Sequence, residues 1–398
     1  MDLFAYIYTR PPYLIGINGF FDHVFSRSSW KLESSLYILD KTINRGIKLN
    51  IVDGIRRVVD GRHLSRAEAE SIMSEIMTGK ATDAQIAAFL TGLRMKCETV
   101  DELIGFAKVM RAKASPVRPQ ASVGASFSGT DREMLVDTCG TGGDATGTFN
   151  ISTATAFVVA GAGVRVAKHG NRSVSSVCGS ADVVEALGIR IDLSSEAVAR
   201  CIDEAGIGFL YAPLLHEAMR YVVLARREMK IRTVFNLLGP ICNPAQATAQ
   251  VLGVYNEDLT EIMAQVLCEL GSARAFVVHG SDGLDEITIS GESKISEVRD
   301  GEVRTYYVTP EDFGIPRAPI SAIQGGDARR NAEIIREVLS GQGGAKRDVV
   351  LLNAAAGLVV GGKAAGLREG IQLARVSINS GKAAACLQKL ISLTHIND

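Results

Sequence analysis

One short stretch of the chain, DTCGTGGDATGTFNIST from Asp137 to Thr153, holds Gly140, Gly142, Gly143 and Gly147 and neither lysine nor arginine. Glycines let backbone N–H groups turn toward an anion with no Cβ in the way. A helix starting near Asn150 would add unpaired N–H groups and the positive end of its dipole. Asn150, Ser152 and Thr153 supply side-chain donors at the same end. The plainer reading is a turn with Asn150 as helix cap. The run is not a dinucleotide G-x-G-x-x-G, because Gly143-Asp144-Ala145 follows Gly140-Thr141-Gly142, and no Gly-Lys-Ser/Thr closes it as a P-loop would. GLVVGGKA (Gly357 to Ala364) fits G-x-x-x-x-G-K, but Ala364 stands where a magnesium-binding hydroxyl belongs.

A second polar loop follows the next β-rich run. VRVAKHGNRSVSSVCGSAD is expected to leave its strand at Lys168 into a loop bearing Lys168, His169, Asn171, Arg172, Ser173, Ser175 and Ser176, with Ser180 capping the helix beyond. Two consecutive strands would thus bring two anion-friendly loops to one sheet edge, which suits a ligand with two separated phosphate groups. HGSDGLDEITISG adds acid: Asp282, Asp285 and Glu286. These are either solvated turn residues or ligands for a hard cation, which takes carboxylates together with phosphate oxygens.

The elements that must position these loops are legible in outline. SRAEAESIMSEIMTG opens with Ser65 and Glu68 in capping-box spacing, repeats its apolar residues at helical intervals and stops near Gly79. ATDAQIAAFLTGLRMK and TVDELIGFAKVMRAKA read the same way, making residues 51–115 a small all-α domain. A Pro-, Ser- and Gly-rich linker follows. From about residue 133 to 398, short β-rich runs alternate with helical ones: MLVDT, ISTATAFVVAGAG, VRVAKHG, SADVVEALG, IRID, SSEAVARCIDEAG, IGFLYA, and later AQVLGVY, TEIMAQVLCELG and RAFVVHG. That alternation predicts an α/β domain with a mainly parallel central sheet covered by helices. Residues 1–50, dense in aromatics such as Phe4, Tyr6, Tyr8 and Trp30, show no clear period and are expected to be an extension of unknown role, or to reflect a misplaced translation start.

Composition narrows the class. A formal net charge of −1 over 398 residues argues against a generic nucleic-acid binder. No apolar run is long enough for a membrane span. Seven scattered cysteines without a CxxC predict neither disulfides nor zinc, and a reducing cytoplasm.

Taken together, Gly140–Asp144 (GTGGD), Asn150–Thr153 (NIST), Lys168–Ser176 (KHGNRSVSS) and Asp285-Glu286 resemble the signatures of the anthranilate phosphoribosyltransferase family, from about Ile51 to about Ser392. The resemblance implies a homodimer in which helices around 213–232 join the small domain. It implies transfer of a phosphoribosyl group from phosphoribosyl pyrophosphate to the amine of anthranilate, with two magnesium ions. The phosphoribosyl pyrophosphate site would comprise Gly140, Gly143, Asp144, Thr148, Asn150, Ile151, Ser152, Thr153, Lys168, His169, Gly170, Asn171, Arg172, Ser173, Val174, Ser175, Ser176 and Ser180. Ser152, Asp285 and Glu286 would hold metal. Gly140, Asn171 and Arg226 would bind anthranilate, with His169, His216 and Gly239 lining its channel. No acid–base catalyst is assigned. Ala145, Glu217 and Cys97 depart from the family pattern, which more often has Gly, Pro and Gly there. Two other readings stay open: a pyrimidine nucleoside phosphorylase, and a non-catalytic nucleic-acid-binding relative of the same fold.

Overall fold

The computed structural model describes residues 49–120, 134–144, 146–173 and 177–396. The extension over residues 1–48, the linker over 121–133, Ala145, Val174, Ser175 and Ser176 lie outside the described residues. The described chain opens on helices α1 (Ile51–Val59), α2 (Arg66–Ile76), α3 (Asp83–Lys96) and α4 (Val100–Lys113). The expected capping box at Ser65 and Glu68 is present, and Thr82 with Gln85 and Thr99 with Glu102 repeat it on α3 and α4. Each box satisfies two helix-end N–H groups, so three successive starts are fixed locally. Glu102 does more. It is fully buried, and besides the Thr99 N–H it accepts from the Leu64 N–H at 2.8 Å and from Lys96 Nζ at 2.7 Å.

Between α3 and α4 the chain turns at Cys97 with φ 65° and ψ 145°, a conformation that suits glycine. Cys97→Gly is therefore expected to stabilise the protein by about 1 kcal/mol, seen as a higher denaturant midpoint at unchanged slope.

A seven-stranded sheet follows, in the order β3-β2-β1-β4-β5-β6-β7. Its strands are β1 (Leu135–Gly140), β2 (Arg165–Gly170), β3 (Ile207–Tyr211), β4 (Ala249–Gly253), β5 (Arg274–Gly280), β6 (Ser293–Arg299) and β7 (Glu302–Val308). The first five are parallel, and β6 and β7 add antiparallel at one edge. The mainly parallel sheet is thus as expected. The IRID run (Ile189–Asp192) is not a strand: Ile189 and Ile191 are buried in the core without joining the ladder. The β6–β7 hairpin turns at Asp300-Gly301, both with positive φ, the pairing favoured in tight hairpins.

Both faces of the sheet are covered, as a parallel sheet requires. Along β5, Phe276 and Val278 face one apolar cluster, and Ala275 and Val277 the other. The first cluster contains α5 (Ile151–Gly161), α12 (Ala328–Leu339), α13 (Ala345–Val360), α14 (Leu367–Asn379) and α15 (Lys382–Thr394). The second takes in the buried residues of α1–α4 and also Val222, Ala225 and Val234–Ile241. These last lie on α9 (Arg220–Met229) and α10 (Val234–Ile241), between β3 and β4. The remaining helices are α6 (Ser180–Ala186), α7 (Ser195–Ala205), α8 (Ala212–Leu215) and α11 (Leu259–Glu269).

Candidate active site

The chain runs β1, β2, β3 outward in one direction and then returns to place β4 on the other side of β1. Such a switch point leaves a crevice at the carboxyl ends of the two strands, where open α/β sheets bind ligands. Here those ends are Gly140 and Gly253, which pair directly. Neither can carry a side chain: a Cβ on Gly140 would strike the Asp285 carboxylate, and one on Gly253 the Asp285 carbonyl. Beyond Gly140 the chain coils through Gly142 and Gly143 at φ 67° and 76°. The Gly142 N–H donates to Asp285 Oδ2 at 3.0 Å. The glycine loop and the acidic turn therefore meet, although 143 residues separate them in sequence.

Of the three acids in that turn, Asp282 is internal, accepting from Thr288 Oγ1 at 2.7 Å, from Ser290 Oγ and from the Leu284 N–H at 3.2 Å. Asp285 and Glu286 face the crevice, and the buried Asn353 of α13 fixes the turn from behind through both backbone groups of Ile287 at 2.9 Å. Burial, with the negative charge of Asp144 next, pushes Asp285 up to about 7. Burial and the Asp285 charge raise Glu286 well above the usual carboxylate range. Glu286 accepts a hydrogen bond from the Ser152 backbone, so this carboxylate, rather than Asn150, sits on the start of α5. Carboxylates crowded in this way favour a cation. Among the described residues no three His, Cys, Asp or Glu side chains form a complete metal-binding group. An ion here would need ligand oxygens as well, the usual situation for magnesium with phosphates.

Lys168 supplies positive charge toward Glu286. It lies inside β2, which runs on to Gly170, so the second loop begins two residues later than the sequence suggests. It is 2% exposed, and its Nζ donates to the Thr138 carbonyl at 2.6 Å and to Ser152 Oγ at 3.2 Å. Burial lowers its pKa, while Asp137, Cys139 and Glu286 oppose that. The ammonium thus orients the Ser152 hydroxyl from below.

The two anion-friendly loops also touch. Asn150 makes no cap hydrogen bond; its Nδ2 donates to the Cys178 carbonyl at 3.3 Å. Thr153 is buried behind it in α5. Thr148 bridges to Gln324, and Asp144 accepts from Thr146 Oγ1 at 2.5 Å. The expected cap at Ser180 is displaced by one residue. Gly179 is the N-cap of α6, and Asp182 reaches back to accept from the Gly179 and Ser173 N–H groups at 2.9 and 3.2 Å. Ser180 Oγ instead accepts the Asn171 N–H at 3.2 Å. Arg172 pairs with Asp182 and Glu185 at 2.9 and 2.6 Å.

On the side of α8–α10, the His169 and His216 rings stand 5.1 Å apart, tilted by 48°. Burial drives His169 down to about 3, with His216 adding to the shift, and burial drives His216 down to about 4. Both are neutral at physiological pH, and neither Nε2 has a partner among the described residues. Arg226, on α9, lies over the Phe235 ring at 5.4 Å, and burial lowers its pKa. Arg232, just beyond α9, stacks on Tyr255 at 4.2 Å and donates to the Gly143 carbonyl. Sequence reasoning singled out neither Gly253 nor Arg232.

Residues 132–384 match the a/b domain of a glycosyl transferase family, and residues 52–114 match its helical bundle domain. The anthranilate phosphoribosyltransferase of Pelotomaculum thermopropionicum is 57% identical over 344 residues, which cover 86% of this chain and 96% of that one. The chain belongs to the anthranilate phosphoribosyltransferase family. Solved structures of the family superpose over 86% of this chain. The Thermus thermophilus enzyme does so with a TM-score of 0.79 at 41% identity, over 99% of its own length. The Saccharomyces cerevisiae enzyme in complex with PRPP and Mg gives 0.76 at 26% identity, over 97% of its length. The architecture of a small helical region beside a mixed-sheet α/β body is that of the family.

Proposed function

We infer that this chain transfers the 5-phosphoribosyl group from phosphoribosyl pyrophosphate to anthranilate, the second step of tryptophan biosynthesis from chorismate. The observation that carries this reading is the meeting of the glycine loop with Asp285 and Glu286 at the β1–β4 switch point, in a chain 57% identical to a named member of the family. In the reaction the ribose C1–O bond to pyrophosphate breaks, the anthranilate nitrogen bonds to C1, and the amine proton leaves to solvent. Ser152, Asp285 and Glu286 suit two magnesium ions, which when bound neutralise charge on the diphosphate. The loop around Gly140–Asp144 would present backbone N–H groups to the leaving pyrophosphate as its charge grows. Lys168 would keep the Ser152 hydroxyl aimed at that site. Asn171, Arg172, Ser173 and the residues up to Ser180 would take the phosphoribosyl end.

Anthranilate fits the side of His169, His216 and Arg226. Two neutral imidazoles offer polar edges without competing for the acceptor's carboxylate, and a guanidinium matches that carboxylate in a bidentate fork. An aromatic amine needs no prior deprotonation, so positioning and electrostatics carry the rate. Arg226→Lys is expected to raise KM for anthranilate by about tenfold or more with little change for phosphoribosyl pyrophosphate, since an ammonium cannot reproduce the fork; steady-state kinetics in both substrates check it. A homodimer in the cytoplasm is the setting this reading implies. Among the described residues no helix is long and apolar enough to cross a membrane.

The direct test mixes the protein with anthranilate, phosphoribosyl pyrophosphate and magnesium and follows anthranilate fluorescence. Loss of signal that depends on all three is expected. A folded protein that leaves the signal unchanged at every magnesium level overturns the reading.

A further inference from the structure

Asn331 lies on α12, 1% exposed and outside every motif described above. Its Oδ1 accepts the Gly326 N–H at 2.8 Å, and its Nδ2 donates to Asn150 Oδ1 at 3.0 Å. Asn150 Nδ2 passes the chain on to the Cys178 carbonyl at 3.3 Å. The direction of this relay is set at both ends, because a backbone N–H only donates and a backbone carbonyl only accepts. Neither amide can turn over without placing like atoms against each other. The backbone on either side runs alongside the relay. The Gly325 N–H donates to the Gly147 carbonyl at 3.0 Å and the Phe149 N–H to the Ile323 carbonyl at 3.3 Å.

We propose that Asn331 is a positioning residue for phosphoribosyl pyrophosphate, acting through Asn150 to hold the start of α5, where the glycine loop ends, against Cys178 at the entry to α6. The proposal rests on the reading that the two loops joined there take the two phosphate-bearing ends of that substrate. A ligand spanning both loops binds best when their spacing is set in advance, because ordering them on binding would cost affinity. The Asn150 amide thus joins the two segments through the relay, and its Oδ1 also accepts from the Cys178 thiol at 3.4 Å. With Asn331 buried and Asn150 half-buried, the amide pair is suited to that task, since each alternative arrangement sets like atoms against each other.

Asn331→Asp tests the idea with almost no change in shape. A carboxylate presents an acceptor where Nδ2 donated, so it opposes Asn150 Oδ1; turning Asn150 over then opposes the Cys178 carbonyl. The expected result is a KM for phosphoribosyl pyrophosphate raised about tenfold or more, with KM for anthranilate within about twofold of the wild type. In a double-mutant cycle, Asn331→Ala and Asn150→Ala should be strongly non-additive in KM for phosphoribosyl pyrophosphate. An unchanged KM for phosphoribosyl pyrophosphate in Asn331→Asp, or additive effects in the cycle, overturns the relay. If thermal melts show that Asn331→Asp does not fold, Asn331→Ser decides. A shorter donor should give a smaller rise in that KM, and no rise overturns the proposal. Wild-type enzyme in the same assay separates the two inferences: no turnover there defeats the functional reading, whereas an active wild type with an indifferent Asn331 variant defeats the relay alone.

Discussion

Replacing Asp285 by Asn together with Glu286 by Gln is expected to lower kcat/KM by about 10²–10³-fold or more and at the same time to raise the thermal midpoint of the magnesium-free protein. The two effects share one cause. Glu286 is buried and Asp285 half-buried, they repel each other, and Asp144 adds to the repulsion. The described structure offers them Lys168, the Gly142 N–H and the Ser152 backbone, which is less than two crowded anions require. Such an arrangement costs stability in the free protein and is relieved when a cation arrives, a pattern typical of sites shaped for function over stability. The amides keep the shape while removing the charge. Activity would be followed over a magnesium titration and unfolding by calorimetry without added metal. A double variant still activated by magnesium would place the ion elsewhere. One that melts at a lower temperature would show that the carboxylates are stabilised by their surroundings, contrary to the electrostatics described above.

The second large effect lies far from the crevice. Glu102→Ala is expected to destabilise the protein by about 3–5 kcal/mol. Glu102 is fully buried, and its two oxygens serve Lys96 Nζ, the Leu64 and Thr99 N–H groups and Thr99 Oγ1. Truncation leaves the Lys96 side chain, 4% exposed, as a buried charge without its carboxylate, and it strips the N-terminal box from α4. Glu102→Gln keeps the shape and part of the bonding, so it should fall between the two. A denaturant midpoint that barely moves in the alanine variant would mean that water replaces the carboxylate. Because Glu102 ties the segment before α2 to the start of α4, loss of its bonds should loosen the helical cluster first. Amide exchange would then rise in residues 51–113 ahead of the sheet.

Much of this organisation could be read from residues alone, and the rest could not for physical reasons. The Ser65 capping box and the glycine loop are local: their side chains and turns are decided within a few residues, so a single sequence carries them. Asp285 and Glu286 could be noticed as candidate cation ligands because their type and adjacency are unusual in a glycine-containing turn. Their placement against Gly140 could not be seen, because it depends on β4 returning beside β1. Gly253 carries no signal of its own, since its significance is the backbone of Asp285 lying across it. Ser180 and Asn150 were natural cap candidates by type. Glu286 occupies the start of α5 and Asp182 the start of α6, contacts settled by tertiary packing. The IRID run has the alternation of a strand but finds no edge to join. The β6–β7 hairpin carries an Asp-Gly turn signal at Asp300-Gly301 that the reading of the sequence did not take up.

The strand order also bears on how the chain can be made. β1 pairs with β2 at Leu135–Arg165 and with β4 at Val136–Ala249, so its second neighbour is synthesised long after it. The cluster that buries α1–α4 likewise draws on Val222, Ala225 and Val234–Ile241, and on sheet residues such as Leu252 and Val277. A nascent chain that has emerged only as far as β3 therefore carries helices with part of their apolar surface uncovered and a central strand with one open edge. Non-local pairings of this kind slow folding and lengthen the exposure to aggregation. The arrangement that creates the binding crevice thus delays its completion until β4, the Asp285-Glu286 turn and the Asn353 that holds that turn have all left the ribosome.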